Sequence, residues 1–215
     1  NKKGGNGLST SKIKFRLKAN ESFYLREGWL RKGMKNVLKD NSVFSKDNVS
    51  DILGVGSNMV KSIRYWLQAC GLTYEKQEKG GKRVQKPTED FGNIILQYDP
   101  YFEDIFTLWL IHYKLATNKE LATVWYLFFN DFNVVEFSKD DLYEGISIAL
   151  KRYTNNAEFS ESSLKDDCNN VLKTYCKDDK EEKNPEDNMI CPLTALELIK
   201  KVKDQGGKQV FVKSK

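Results

Sequence analysis

VSDILGVGSNMVKSIRYWLQACGLTYEKQEKGGKRVQKPTEDFGN, from Val49 to Asn93, is the stretch whose reading decides the fold. Its order is a short helix, a tight glycine turn, a second helix and a basic hairpin. Ser50 to Leu53 start the first helix and Gly54 to Gly56 end it. Ser57 or Asn58 is placed to cap the next helix by accepting a hydrogen bond from a free N–H. In that helix Val60, Ile63 and Leu67 recur at helical spacing and predict a buried stripe. Ser57, Asn58, Lys61, Ser62, Tyr65 and Gln68 then point largely outward, a polar, positive face with one aromatic and no carboxylate. Such a face suits the major groove, where base edges accept hydrogen bonds and phosphates attract cations. Beyond Gly71, Leu72 to Tyr74 predict a strand, and Gly80-Gly81 supplies the permissive backbone of a hairpin tip. Lys76, Lys79, Lys82, Arg83 and Lys86 surround that tip against Glu78 alone. Helix-turn-helix followed by a basic hairpin is the winged-helix pattern. Any small helical bundle gives a similar helix pattern, and many winged helices dock only proteins.

Working outward, the segment before this stretch, FYLREGWLRKGMKNVLKD, has the helical period of a first helix. Gly28 and Gly33 weaken it, which predicts a break or a close approach to another backbone. Arg26, Arg31, Lys32 and Lys35 decorate its outer faces, and the first three are candidate phosphate contacts with Arg64. Lys12 to Lys18 alternates like a short strand or extended arm. Residues 1–40 carry eleven Lys and Arg against three acids, whereas 177–187 carry three Lys against six acids. That asymmetry favours a polyanion-facing surface at one end, although basic segments are usually just solvated.

The second half predicts helices. FTLWLIHYKL (Phe106 to Leu115) is the most apolar, with ATVWYLFFNDF (Ala122 to Phe132) as antiparallel partner. Trp109, Trp125, Phe128, Phe129 and Phe132 are expected to form one aromatic core, and base stacking is their alternative use. Ser138 with Asp141 opens another helix with a capping-box pattern. Ser160 to Ser163 introduces SLKDDCNNVLKTY, whose Leu164, Cys168, Val171 and Leu172 face inward and whose Ser162, Ser163, Lys165, Asp166, Asn169, Asn170 and Lys173 face outward. These two make a second helix-turn-helix-like unit whose Asp166 and Asp167 would repel phosphate. The acidic 178–187 predicts a loop and ALELIKKVKD a last helix before a basic tail. The expected fold is therefore mainly α: an arm or short strand at 1–19, a winged helix-turn-helix domain with a small β-hairpin wing at 20–97, and a helical C-terminal domain at 98–215.

The longest apolar run is interrupted by Thr107, His112 and Lys114, so no membrane span is expected. The first residues lack the apolar stretch of a signal peptide, which predicts a cytoplasmic protein. Cys168, Cys176 and Cys191 are weak metal candidates, because no CxxC pair is present and the spacing fits zinc sites poorly. No cofactor is expected. Asp99, Glu103 and Asp104 form the best carboxylate cluster, explained more cheaply by capping and turn formation than by a metal-dependent nuclease. With no nucleophile elbow, P-loop, dinucleotide fingerprint or His-Glu zinc motif, binding is favoured over catalysis. GVGSN could cradle a backbone phosphate at a helix N-terminus.

SFYLREGWLRKGM (Ser22 to Met34), LGVGSNMVKSIRYWLQACGL (Leu53 to Leu72), YDPYFEDIFTLWLIHYKLAT (Tyr98 to Thr117), SESSLKDDCNNVLKTY (Ser160 to Tyr175) and CPLTALELI (Cys191 to Ile199) resemble the bacterial family known as domain of unknown function 4007. That resemblance implies gene neighbours similar to phosphoadenosine phosphosulfate (PAPS) reductase, in clusters linked to DNA phosphorothioation and phage defence. It assigns no catalytic residue. The expectation is a DNA-binding accessory or regulatory protein of such a system, with double-stranded DNA as partner. An adaptor docking on the PAPS-reductase-like sulfur-transfer enzyme is the alternative, and a Cys-ligated redox or sulfur carrier a third reading.

Overall fold

A computed structural model describes residues 13–177 and 190–214. The segments at 1–12 and 178–189, including the expected acidic loop, lie outside the described residues. Among the described residues eight α-helices and five short strands follow in the order α1 (Trp29–Lys39), α2 (Val49–Leu53), α3 (Ser57–Ala69), β1 (Thr73–Gln77), β2 (Arg83–Pro87), α4 (Gly92–Tyr98), α5 (Ile105–Thr117), α6 (Thr123–Asn130), β3 (Glu136–Phe137), α7 (Lys139–Tyr153), α8 (Glu161–Tyr175), β4 (Ile199–Lys203) and β5 (Gln209–Lys213). The mainly helical class holds, with small antiparallel sheets.

The glycine turn forms as the sequence predicts. Gly54 takes a left-handed φ of 62°, its N–H reaches Asp51 O, and the Val55 N–H reaches Ser50 O. Those two reversed bonds are the Schellman stop, which satisfies the last carbonyls of a helix where only glycine turns left without steric cost. α3 then starts at Ser57 with Gly56 before it, and no side chain caps it, which corrects the capping expected of Ser57 or Asn58. Gly28 is the break in the first helix: it sits at φ 75° ahead of α1, so the helix starts at Trp29 rather than Phe23. Gly33 is the close approach. A Cβ there would lie 2.7 Å from Leu67 Cδ1 and 2.9 Å from Ile63 Cγ2, so α1 rides on the buried stripe of α3.

The hairpin pairs β1 with β2 from Thr73↔Pro87 to Gln77↔Arg83, and Gly80 and Gly81 turn it at φ 89° and 82°. It is tied down at its base. The Gln85 N–H donates to Asn41 O at 2.7 Å, Gln85 Nε2 to Arg64 O at 3.1 Å, and Ser45 Oγ to Arg83 O at 2.7 Å.

In the second half α5 and α6 pair, and α7 and α8 begin as expected. Ser138 and Asp141 complete a full capping box on α7, and Ser160 Oγ accepts from the Ser163 N–H at the start of α8. Asn170, expected outward, is buried. The tail departs from expectation. ALELIKKVKD is no helix: a 3₁₀ turn (Pro192–Leu196) ends at Glu197 with φ 51°, and β4 and β5 follow as a hairpin. β5 lies between β4 and β3, so the described C-terminal half contains a three-stranded sheet. Lys213 of β5 donates to Phe128 O at 2.8 Å and Phe132 O at 2.9 Å, placing a cation where α6 leaves carbonyls unpaired.

One hydrophobic cluster runs from Leu25 through α3, α5, α6 and α8 to Phe211. Trp66 of α3 meets Trp125 of α6 edge-on, centroids 5.4 Å apart and planes at 88°. Ile13–Arg16 join no strand but dock, with the Arg16 N–H on Thr123 Oγ1 at 3.2 Å. At the same seam the Lys18 N–H donates to Asp167 Oδ2 at 2.8 Å, and Lys18 Nζ pairs with Asp166. Burial pushes the Asp167 carboxyl up to about 7 despite that N–H.

Gly33→Ala should lower stability by about 1–3 kcal/mol, because the added methyl must displace two core side chains. Thermal denaturation would register it as about 2–4 °C per kcal/mol, and an unchanged midpoint would mean that α1 can lift off α3. Asp167 makes a second prediction. Its folded pKa exceeds its unfolded value, so its contribution is fully present below pH about 4 and is lost as pH rises through about 7. Asp40, Asp99, Asp141, Asp166 and Glu197 are shifted down, so their contributions are lost only under more acidic conditions. His112, pushed down to about 4 by burial, works the other way below about pH 6.5. Chemical denaturation between pH 5 and pH 8 should therefore show the parent losing stability chiefly above about pH 6, whereas Asp167→Asn should gain stability as pH rises through about 6.

Candidate nucleic-acid interface

The candidate face is built by α1, the Gly54–Gly56 turn, the first turns of α3 and the hairpin. α3 contains no Asp or Glu. Ser57, Asn58 and Lys61 stand exposed on it, the Lys61 ammonium 3.4 Å from Asn58 Oδ1 and 3.9 Å from Glu21. Two residues expected beside them are not there. Ser62 is fully buried, its hydroxyl toward Phe23 O at 3.5 Å. Tyr65 is buried too: its hydroxyl donates to Leu121 O at 2.9 Å and its ring stands edge-on to Trp66 at 5.1 Å. α3 therefore has a second buried stripe, Ser62–Tyr65–Trp66–Ala69, turned toward the aromatic half of the chain. Neither Ser62 nor Tyr65 can face a groove.

Arg64 and Gln68 are half-buried. Arg64 pairs with Glu75 of β1, and its carbonyl accepts from Gln68 and Gln85, so it fastens the hairpin to α3. On the hairpin Lys86 pairs with Glu78 at 3.0 Å. Lys76, Lys79, Lys82 and Arg83 are exposed and enter no ion pair among the described residues.

On α1, Arg31, Lys35 and Lys39 form an exposed stripe at i, i+4 and i+8. Arg31 lies over the Tyr101 ring at 4.1 Å, a cation–π contact that leaves guanidinium N–H groups at its edge. Arg26 is corrected as an outward phosphate contact. It is buried, with its guanidinium 5.4–5.7 Å from the rings of Phe23, Tyr24 and Trp29. It reaches a cleft of about 820 Å³ between α1, α2 and α3, lined also by Trp29, Lys32, Asp51, Gly54 and Gly56. The cleft is mixed in charge, since Glu27 and Asp51 share it with Arg26 and Lys32.

The chemistry-bearing candidates elsewhere have structural employment. Asp99 Oδ1 and Oδ2 accept the N–H groups of Glu103 and Asp104 at 3.1 and 3.0 Å, and Asp104 caps α5 through the Phe106 N–H at 2.7 Å. Among the described residues no three His, Cys, Asp or Glu side chains group as a metal site. Cys168 and Cys191 are buried, their thiols pushed up by that burial, to about 12 for Cys191. Protonated thiols are poor ligands and nucleophiles. Cys176 is half-buried with its Sγ 3.6 Å from Ile199 O. His112 is pushed down to about 4 by burial, sits 2.9 Å from the Tyr175 hydroxyl and packs on Phe129, so it is neutral at pH 7.

Trp109 is corrected as a core residue: it is 44% exposed on α5, between Phe106 and Tyr113, which are exposed as well. The signal was present in the sequence, because α5 carries large apolar residues on two opposite faces and one body of protein can cover only one of them.

No helix among the described residues is long and apolar enough to cross a membrane. No curated protein matches the sequence. Two solved structures are similar. One is titled "Magnesium ion-bound SspB crystal structure", at 28% identity and TM-score 0.80, covering 92% of this chain and 59% of that one. The other, "SspB crystal structure", has 26% identity and TM-score 0.79, covering 94% and 61%. The chain thus spans about three fifths of the SspB chains it matches. The magnesium named there belongs to that protein, and the carboxylates described above offer it no grouped site here. Residues 18–215 match the family described as "Protein of unknown function (DUF4007)", and the chain belongs to that family.

Proposed function

We propose that residues 20–97 act as a winged helix that lays the first turns of α3 and the hairpin on double-stranded DNA, as the DNA-binding accessory module of a phosphorothioation or defence system. One observation carries this reading. The carboxylate-free strip Ser57–Asn58–Lys61 adjoins a tethered hairpin whose Lys76, Lys79, Lys82 and Arg83 have no internal counter-ion among the described residues. Unpaired cations at that spacing suit successive phosphates, and a short polar strip suits base edges. Arg31, Lys32 and Lys35 extend the phosphate surface along α1. An accessory role in DNA modification fits the family and the likeness to SspB.

A second reading has an observation of its own. Lys61, Arg64 and Lys86 are each paired inside the chain, which weakens their call on phosphate and suits an adaptor that docks on a sulfur-transfer enzyme.

Fluorescence anisotropy with plain and phosphorothioate duplexes across a salt series separates the two. Binding should weaken linearly on a log–log scale, and replacing Lys76, Lys79, Lys82 and Arg83 by Gln should flatten the slope by ~3–4, about 0.9 for each lost phosphate contact. Absence of duplex binding at the lowest salt, alongside an intact complex with the sulfur-transfer enzyme, would leave the adaptor standing. Tyr65→Phe is the matched control: it should cost about 1 kcal/mol of stability and leave duplex affinity unchanged.

A further inference from the structure

We infer that the outer face of α5 is a dimerisation surface that pairs antiparallel with α5 of a second copy of this chain. Phe106, Trp109 and Tyr113 recur at i, i+3 and i+7 and are 66%, 44% and 62% exposed. Ile105 beside them is half exposed, and Tyr98 and Tyr101 just upstream are more than half exposed. The opposite face of the same helix, Leu108, Ile111 and Leu115, is buried in the core. A helix apolar on two opposite faces is stable in water only when both faces are covered. Contiguous exposed apolar area of this kind marks an interaction site. Taking a large aromatic side chain at ~200 Å², these residues offer on the order of 600 Å², close to the ~800 Å² per partner of a standard interface.

The charges around the stripe select a second copy, in one orientation. Glu103 and Asp104 stand at the N-terminal end of α5, and Lys114 and Lys119 at its C-terminal end. None of the four has an ion-pair partner in its own chain among the described residues, although Asp104 caps α5 and the Lys114 and Lys119 ammoniums lie over the Phe91 and Tyr126 rings at 4.9 and 5.1 Å. Glu103 lies in the turn just before α5 and Lys119 just after it, so opposite charges flank the two ends of the stripe. In an antiparallel pair the acidic end of one helix lies beside the basic end of the other. Trp109 then crosses near the twofold axis and Phe106 meets the partner's Tyr113. The helix dipoles also run opposed. Such an interface is self-complementary, as a twofold contact must be.

Sedimentation velocity over a concentration series should show a monomer–dimer equilibrium. Trp109→Glu should raise its dissociation constant by at least about 30-fold, the cost of removing a central aromatic anchor. Circular dichroism and the melting midpoint should stay near those of the parent, because the position is exposed. Trp109→Cys under mild oxidation should form a disulfide-linked dimer across the axis, whereas Ile148→Cys, exposed on α7, should not. A parent that remains monomeric at every concentration, with no preferential cross-link at 109, overturns the proposal. A monomer that binds a single-stranded oligonucleotide and loses it in Trp109→Glu also overturns it, and assigns the face to base stacking.

Discussion

Helix α3 is buried on two sides at once, and the rest of the molecule is arranged around that constraint. On one side Ile63 and Leu67 lie under Gly33 of α1, close enough that a methyl group there would collide with both. On the other, Trp66 stands edge-on to Trp125 while its indole N–H reaches Phe23 O at 3.1 Å. An edge-to-face pair of this size contributes about 1 kcal/mol beyond the burial of its area. The same contact locks the helical second half to α3. Tyr65 adds a hydroxyl bond to Leu121 O from the neighbouring position. A helix held this way cannot roll, so the strip it leaves to solvent is narrow and fixed: Ser57, Asn58 and Lys61, with Arg64 and Gln68 half covered.

That double burial explains how much of the site the sequence revealed. Val60, Ile63 and Leu67 announce one stripe, and the glycine stop, the hairpin tip at Gly80-Gly81 and the capping box at Ser138 are local chemistry that needs no tertiary knowledge. The second stripe was visible only as residue types, since Tyr65, Trp66 and Ala69 are too apolar for a wholly outward face. A single amphipathic template assigns Ser62 and Tyr65 outward because it allows one covered side. The C-terminal error has the same origin. ALELIKK fits a helical period, but QVFVK alternates with period two, and Gly206-Gly207 marks the turn between the two strands. Which period wins at Ile199 is decided by the partner strand β5, a contact the local pattern does not contain.

The two exposed surfaces are not independent. Arg31 belongs to the outward cations of α1, yet its guanidinium rests on Tyr101 at 4.1 Å, at the edge of the aromatic patch that leads into α5. Stacking occupies the flat face of a guanidinium and leaves its N–H rim directed outward, where a phosphate oxygen can accept from it. Arg31 therefore stands at the seam between the cationic surface proposed to meet DNA and an apolar one. A pair of chains joined through α5 would carry two α3 strips and two hairpins related by one twofold axis. Duplex DNA has twofold axes of its own, so protein symmetry of that kind is matched by paired half-sites. Each half would contribute only a short polar strip and a few phosphate contacts. Joined, the second half binds at the high effective concentration set by the first. Such a pair would offset the narrow face that double burial imposes on α3 by presenting two of them.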